Sequence, residues 1–165
     1  MSEVLDKIKS RRSIRKYKPD PVPQELLDQI IEAGLYAANG KGFQNTIIIQ
    51  VTNKKLRDEI SEKNREILGA KEGTDPFYGA PVVLIVLADK ARPTYLYDGS
   101  LVMGNLMNAA HALGVDSCWI HRAREVFDSE EGKELKKQWG VPEEYIGVGH
   151  CVLGYRDCEY PTAKP

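Results

Sequence analysis

VVLIVL, at residues Val82–Leu87, decides the fold of this chain. Every residue in this segment is apolar, so both faces of the strand that it predicts are buried, as in a central strand covered on each side by helices. Three further apolar or β-branched segments, Thr46–Thr52, Val115–Ile120 and Tyr145–Leu153, also predict strands. We therefore expect a sandwich of helices around a sheet of at least four strands, whose order the sequence leaves open.

Five helices are predicted from apolar residues at helical spacing and from the turn signals that end each segment. They are a short one around Val4–Ile8, one introduced by Pro21 and Pro23 and ending at Asn39-Gly40, Lys54–Leu68, Gly99–Leu113, and a charged one near Ser129–Trp139. In the second helix the apolar face runs from Leu26 to Ala38. In the third, Leu56, Ile60 and Ile67 are expected to face inward.

Length and composition restrict the class of protein. The 165 residues fit one domain over 1–165, and 42% apolar with 28% charged residues excludes disordered, collagenous and coiled-coil chains. The longest apolar stretch, Ala80–Ala88, is far shorter than the about 20 residues of a membrane-spanning helix. No apolar leader is visible at the N-terminus, so we expect a cytoplasmic protein without a membrane partner.

The motifs of several common sites are absent from the sequence. The three cysteines, Cys118, Cys151 and Cys158, are odd in number and lack C-x-x-C spacing, so all are expected to be free thiols. The three histidines have no close His or Cys neighbours, and we expect no metal site. Neither a phosphate loop, nor a dinucleotide-binding glycine motif, nor a nucleophile elbow is found.

Positive charge is concentrated near the N-terminus. Residues 1–18 carry seven Lys or Arg against two acidic residues, although the whole chain has a net charge of -1. Arg11, Arg12, Ser13 and Arg15 can clamp a phosphomonoester, because guanidinium groups bind phosphate oxygens bidentately and the hydroxyl adds a further bond. Nucleic acid and a membrane surface are other anions that such a cluster could meet. Alternatively, these basic side chains bind no ligand: they stay solvated and stabilise the C-terminus of the helix by interacting with its dipole.

Five segments carry a resemblance to a known family. They are, in chain order, Arg11–Arg15, Ala37–Gln44, Gly79–Val83, Ala112–Ile120 and Val148–Tyr155. In this order they resemble the successive landmarks of the FMN-dependent nitroreductase family, of which the chain looks like a short member. The resemblance implies an α+β fold, a three-layer sandwich with a central mixed, largely antiparallel sheet flanked by helices. It also implies an intertwined homodimer with FMN at two sites between the subunits.

The same resemblance assigns the basic cluster to the phosphate end of FMN. Residues 11–13 would hold the phosphate and the ribityl chain, and Arg15 would reach toward the pyrimidine side of the ring. Lys164 resembles a tail base that closes on the phosphate, with Arg156 as the weaker alternative.

Two further groups of residues are implied to contact the flavin. The first group would approach the flavin from the partner subunit and consists of Ala38, Asn39, Gly40 and Gln44. The second would run along the ring, with a backbone N–H directed at the flavin N5, and consists of Ile120, His121 and Arg122.

The activity that the resemblance implies is a ping-pong reduction. A hydride would pass from NADH or NADPH to the flavin N5, and an electron-poor acceptor such as a nitroaromatic or a quinone would then take the place of the nicotinamide. No side chain is required as a catalytic acid or base, so no catalytic residue is predicted.

One alternative is different flavin chemistry on this scaffold, as in a flavin reductase, an enone reductase or an oxidative lyase. A non-enzymatic nucleic-acid binder is less favoured, because Tyr17 is the only aromatic residue within the basic segment.

Overall fold

A computed structural model describes residues 2–164 of the protein. In chain order the elements are α1 (Glu3–Ser10), α2 (Gln24–Leu35), a 3-10 turn at Gly40–Gly42, β1 (Thr46–Val51), α3 (Lys54–Leu68), β2 (Val82–Asp89), α4 (Tyr95–Ala112), β3 (Asp116–Ile120), α5 (Ala123–Asp128), α6 (Glu130–Gln138) and β4 (Tyr145–Gly154). Among the helices described, none combines the length and the apolar character needed to cross a membrane.

The four strands form one sheet in the order β1-β2-β4-β3, and every neighbouring pair is antiparallel. The segment Val82–Leu87 lies in a central strand, as the sequence predicted. A parallel element is present only as an isolated bridge between Ser13 and Ser117, within the part of the chain described. The α+β sandwich with a largely antiparallel sheet is confirmed.

The two faces of the sheet bury separate apolar clusters, which makes three layers. Because side chains alternate along a strand, Leu84 and Val86 enter one cluster, whereas Val83 and Ile85 enter the other. Helices α2 and α4 cover the first cluster, and α3 and α5 cover the second. Each large apolar side chain buried in this way contributes about 1.5–3 kcal/mol.

Side-chain caps fix where three of the helices begin. The hydroxyl of Ser2 accepts from Leu5 N in α1, Asn53 Oδ1 accepts from Leu56 N in α3, and Ser129 Oγ accepts from Gly132 N in α6. Each such cap contributes about 0.5–2 kcal/mol, because it satisfies an N–H that has no partner within the helix. The caps therefore stabilise the first turns of α3 and α6, two helices rich in charged residues.

Helix α2 is shorter than the sequence predicted. It ends at Leu35, because the N–H groups of Tyr36 and Ala37 turn back to carbonyls three residues earlier. The chain then leaves the helix before Asn39, which is extended, so Ala38 is exposed and does not belong to the inner face of α2.

Two other helix predictions also need correction. Helix α4 begins at Tyr95 and not near Gly99, since Asp98 N bonds to the Thr94 carbonyl and starts the first turn. Ile67 is exposed, because the last turn of α3 extends past the edge of the core before Gly69 ends it in the left-handed region, with φ at 76°.

Helix α5 was not predicted at all. It spans only Ala123–Asp128 and packs directly on β4. Gly147 makes this contact possible, because a Cβ at that position would collide with the backbone carbonyl of Ala123. The start of α5, and the turn before it, is therefore held closely against the sheet.

Candidate functional site

The basic cluster lies where the chain leaves α1 and meets the beginning of β3. Ile14 N donates to the Ser117 carbonyl at 3.1 Å, which fixes the backbone of the segment. Nη1 of Arg11 and Nε of Arg12 are buried and have no hydrogen-bond partner among residues 2–164, and the same holds for the Ser117 hydroxyl. Buried cationic N–H groups without acceptors are costly. Their donors therefore fit an oxyanion ligand.

Tyr160 fixes the conformation of this cluster from the C-terminal tail. Its hydroxyl accepts from Arg12 N at 2.9 Å and donates to the Ser10 carbonyl at 2.9 Å. The Arg12 Nη1 donates to the carbonyls of Lys9 and Arg11, so the side chain is held while Nε stays available. Sequence reasoning missed Tyr160, because no motif marks a single tyrosine in a tail.

His111 packs beside the cluster without adding to its positive charge. Its Nε2 lies 2.8 Å from Ser10 Oγ, and its ring stacks on Tyr160 at 6.1 Å. Burial, and then the nearby Lys7, lower the pKa of His111. The lowered pKa favours the neutral imidazole, so the positive charge of the cluster comes from the arginines.

The tail brings one of the two predicted tail bases close to the cluster. The Arg156 guanidinium lies over the Tyr160 ring at 5.5 Å and donates to the Cys158 carbonyl. Lys164 is exposed. That Arg156 or Lys164 binds the phosphate of FMN stays a prediction.

The segment 38–44 is held by the first turn of α4. Gly40 N donates to Asp98 Oδ1 at 3.0 Å, and a Cβ on Gly40 would collide with the Thr94 hydroxyl. Within the segment, Gln44 N donates to Asn39 Oδ1 at 3.1 Å. The backbone is thus fixed by buried Asp98, while Gln44 and Ala38 are exposed.

One subunit does not bring this segment to the basic cluster. The segment contacts α4 at Asp98, whereas the basic cluster contacts α4 through the Ser10–His111 pair. At 1.5 Å per residue these two places lie about 20 Å apart along the helix. Within one subunit the two groups therefore contact opposite ends of α4.

The third predicted group forms the turn between β3 and α5. Ile120 is buried, His121 is exposed, and Arg122 lies in the left-handed region with φ at 73°. The strand joins this turn to Ser117 beside the basic cluster, a distance of about 10 Å at 3.4 Å per residue. Within one subunit the basic cluster and this turn therefore lie at the two ends of β3.

Two buried side chains that the sequence did not single out hold this turn. Asn64 Nδ2 donates to the His121 carbonyl at 3.0 Å, and Asn64 Oδ1 accepts from Arg122 Nε at 2.8 Å. His150 Nδ1 lies 3.3 Å from the Ile120 carbonyl. A lone Asn in a charged helix and a lone His in an apolar strand carry no signal in a sequence.

Cys118, Cys151 and Cys158 are free, as predicted, and the first two are buried. Among the described side chains, no three or more His, Cys, Asp or Glu residues are grouped so that they could hold a metal ion.

Comparison with known proteins identifies the family. The sequence profile of the Nitroreductase family matches residues 8–155, which is most of the chain. The chain therefore belongs to the nitroreductase family, and the resemblance carried by the five ordered segments is confirmed.

Three relatives illustrate the likeness. A protein of Methanothermobacter thermautotrophicus is 31% identical over 158 residues, covering 93% of this chain and 77% of that protein. The NADPH-flavin oxidoreductase of Vibrio harveyi is 26% identical, covering 100% of this chain and 70% of that enzyme. The crystal structure of a Desulfitobacterium hafniense nitroreductase with bound FMN has a TM-score of 0.90 and 29% identity, covering 100% of this chain and 95% of that chain.

Proposed function

We propose that this protein is an FMN-dependent oxidoreductase that passes hydride from NADH or NADPH to an electron-poor acceptor such as a nitroaromatic or a quinone. The observation that carries the proposal is the pair of buried, unpaired guanidinium donors on Arg11 and Arg12, in a chain of the nitroreductase family. A phosphomonoester offers the oxygens that these donors lack. The FMN in the similar D. hafniense structure and the name of the V. harveyi relative support this choice of cofactor and reductant.

The chain's own residues bind and orient the cofactor. In this proposal Arg11, Arg12 and Ser13 bind the phosphate, and the turn Ile120–Arg122 lies along the ring with its backbone N–H directed at N5. Exposed Arg15 stabilises negative charge on the pyrimidine edge. FMN, when bound, supplies the hydride transfer itself.

A visible spectrum and an NAD(P)H assay test the function. After incubation with FMN and gel filtration, we expect a yellow protein that oxidises NADH or NADPH when a quinone or a nitroaromatic is present. Product analysis after anaerobic turnover separates this reaction from flavin reduction, enone reduction and oxidative cleavage. A protein that stays colourless after incubation with FMN contradicts the proposal.

We also propose that the functional unit is a homodimer. Most of the exposed large apolar side chains lie on one helical layer and the segment beside it, and they are Val4, Leu5, Ile8, Leu35, Tyr36, Phe43, Leu96, Tyr97 and Leu101. Two of these, Tyr36 and Tyr97, are 80% and 71% exposed. An apolar area of this kind is typical of an interface. The basic cluster and the segment 38–44 contact α4 at places about 20 Å apart along the helix, which supports a site completed by a partner subunit.

A charge placed in the apolar layer is expected to weaken the dimer. We expect Leu5→Asp together with Leu101→Asp to raise the dimer dissociation constant by about 10²-fold or more, because each leucine contributes about 1.5–3 kcal/mol when buried. Sedimentation velocity over a range of concentrations measures the effect. The control is Leu68→Asp, a leucine of similar exposure, 47%, at the end of α3. Equal dimer constants for the double variant and the control would contradict the proposed interface.

A further inference from the structure

The turn between β3 and α5 depends on a side chain that lies far away in the sequence. Asn64 belongs to α3, a helix with many charged residues, yet its side chain is fully buried. Both polar atoms of its amide bond to this turn: Nδ2 donates to the His121 carbonyl, and Oδ1 accepts from Arg122 Nε. An amide can donate and accept at once, which neither an ionised carboxylate nor an apolar side chain of similar size can do.

The backbone of the turn would not adopt this conformation readily by itself. Arg122 has φ at 73°, in the left-handed region that residues with a Cβ rarely occupy. Such a conformation persists where the surroundings enforce it. Asn64 supplies this constraint on both sides of the strained residue, through the preceding carbonyl and through the Arg122 side chain, and His150 holds the Ile120 carbonyl one residue earlier.

The Asn64 contact also sets the direction of a backbone N–H. The C=O of His121 and the N–H of Arg122 belong to one trans peptide, in which the two groups point in opposite directions. Since the His121 carbonyl is bound toward α3, the Arg122 N–H points away from α3. Within residues 2–164 this N–H has no hydrogen-bond acceptor.

We infer that Asn64 is a positioning residue of the flavin site, which fixes the β3–α5 turn so that the Arg122 N–H is presented to the bound ring. The inference rests on the proposed function, because only that proposal places the ring at this turn. Asn64 acts through the backbone and has no contact with substrate in this assignment. It would control the rate of flavin reduction more than the affinity for FMN, because the basic cluster that binds the phosphate lies at the other end of β3.

The experiment compares FMN-loaded variants at Asn64 with a matched control on the same helix. Asn64→Leu removes both hydrogen bonds, and Asn64→Asp keeps the acceptor for Arg122 while it loses the donor to the His121 carbonyl. We expect each to lower kcat/KM for NAD(P)H at least tenfold and to change the shape of the visible flavin bands, with the FMN dissociation constant within threefold of wild type. Ser61→Ala is the control, because Ser61 is also buried in α3 but donates to Asp75, at 2.6 Å.

A glycine at position 122 provides a rescue that a merely structural role would not give. Glycine adopts a positive φ without strain. We therefore expect Asn64→Leu combined with Arg122→Gly to recover at least half of the loss in log kcat/KM. In the FMN-free protein, the Arg122 amide NMR resonance should shift in Asn64→Leu and Asn64→Asp but not in Ser61→Ala.

The outcomes separate this inference from the proposed function. If wild type neither binds FMN nor oxidises NAD(P)H, the proposed function fails. If wild type is active and the Asn64 variants keep its kcat/KM, or lose no more than Ser61→Ala loses, only the positioning role is overturned. Should Asn64→Leu not fold, Asn64→Asp and the Arg122 amide resonance decide between the two outcomes.

Discussion

Replacing Arg11 and Arg12 together by alanine is expected to weaken FMN binding by about 10²- to 10⁴-fold, because each charge-assisted hydrogen bond contributes about 1.5–3 kcal/mol. Arg11 Nη1 and Arg12 Nε are buried without partners, so the phosphate would satisfy donors that nothing else in the described chain satisfies. Fluorescence titration of the FMN-free protein measures the dissociation constant. Riboflavin, which lacks the phosphate, should bind wild type and the double variant with similar affinity.

A variant with the same change in charge separates this clamp from long-range attraction. Lys9 and Lys16 flank the cluster and are exposed, so Lys9→Ala with Lys16→Ala removes two positive charges without removing the proposed contacts. We expect its FMN affinity to stay within threefold of wild type. An equal loss in both double variants would favour a diffuse electrostatic effect, and an unchanged affinity after removal of the two arginines would end the clamp assignment.

The elements of this fold that could be predicted from sequence are those whose burial follows a local period. The strand Val82–Leu87 is apolar throughout, and its place in the middle of the sheet follows from that alone. Helix α5 could not be predicted in this way, because it has only about two turns. Its burial depends on the contact of Ala123 with Gly147, which is distant in the sequence. The order of the strands and their antiparallel direction also depend on pairing between distant segments, so local sequence patterns do not predict them.

In the candidate site, too, the residues that could be predicted are those that a local sequence pattern marks. The basic cluster could be identified because its residues lie within five positions of one another, and a high local density of charge is visible in a sequence. Asn64 could not, because its role depends on contacts with His121 and Arg122, which are far away in the chain. Tyr160 was missed for the same reason, since its hydroxyl meets Arg12 only after the tail has folded back.

Acidification is expected to destabilise the protein by about 3 kcal/mol between pH 7 and pH 4 through His150 alone. The side chain is fully buried between the rings of Phe77 and Phe127, at centroid distances of 5.1 and 6.0 Å. Burial lowers the pKa of His150 from 6.5 to about 4. Between these values only the unfolded chain binds the proton, so the free energy of unfolding falls by about 1.4 kcal/mol per pH unit as the pH drops. Below pH 4 the folded protein binds the proton too, and this loss reaches its limit.

Urea unfolding of the FMN-free protein at pH 7 and at pH 4 measures this effect. His150→Asn keeps a donor for the Ile120 carbonyl but cannot titrate, so we expect lower stability at pH 7 and a loss on acidification that is smaller than that of wild type by about 3 kcal/mol. Burial is the largest single effect on Asp75 and raises its pKa, but the hydrogen bonds from Arg57 and Ser61 and the Arg57 charge together outweigh it, so the pKa is lowered. Asp75 therefore contributes to acid sensitivity in both proteins and cancels in the comparison. His121→Asn, the exposed histidine of the adjacent turn, should behave as wild type. If His150→Asn loses as much stability as wild type does, the buried imidazole is not the group that titrates.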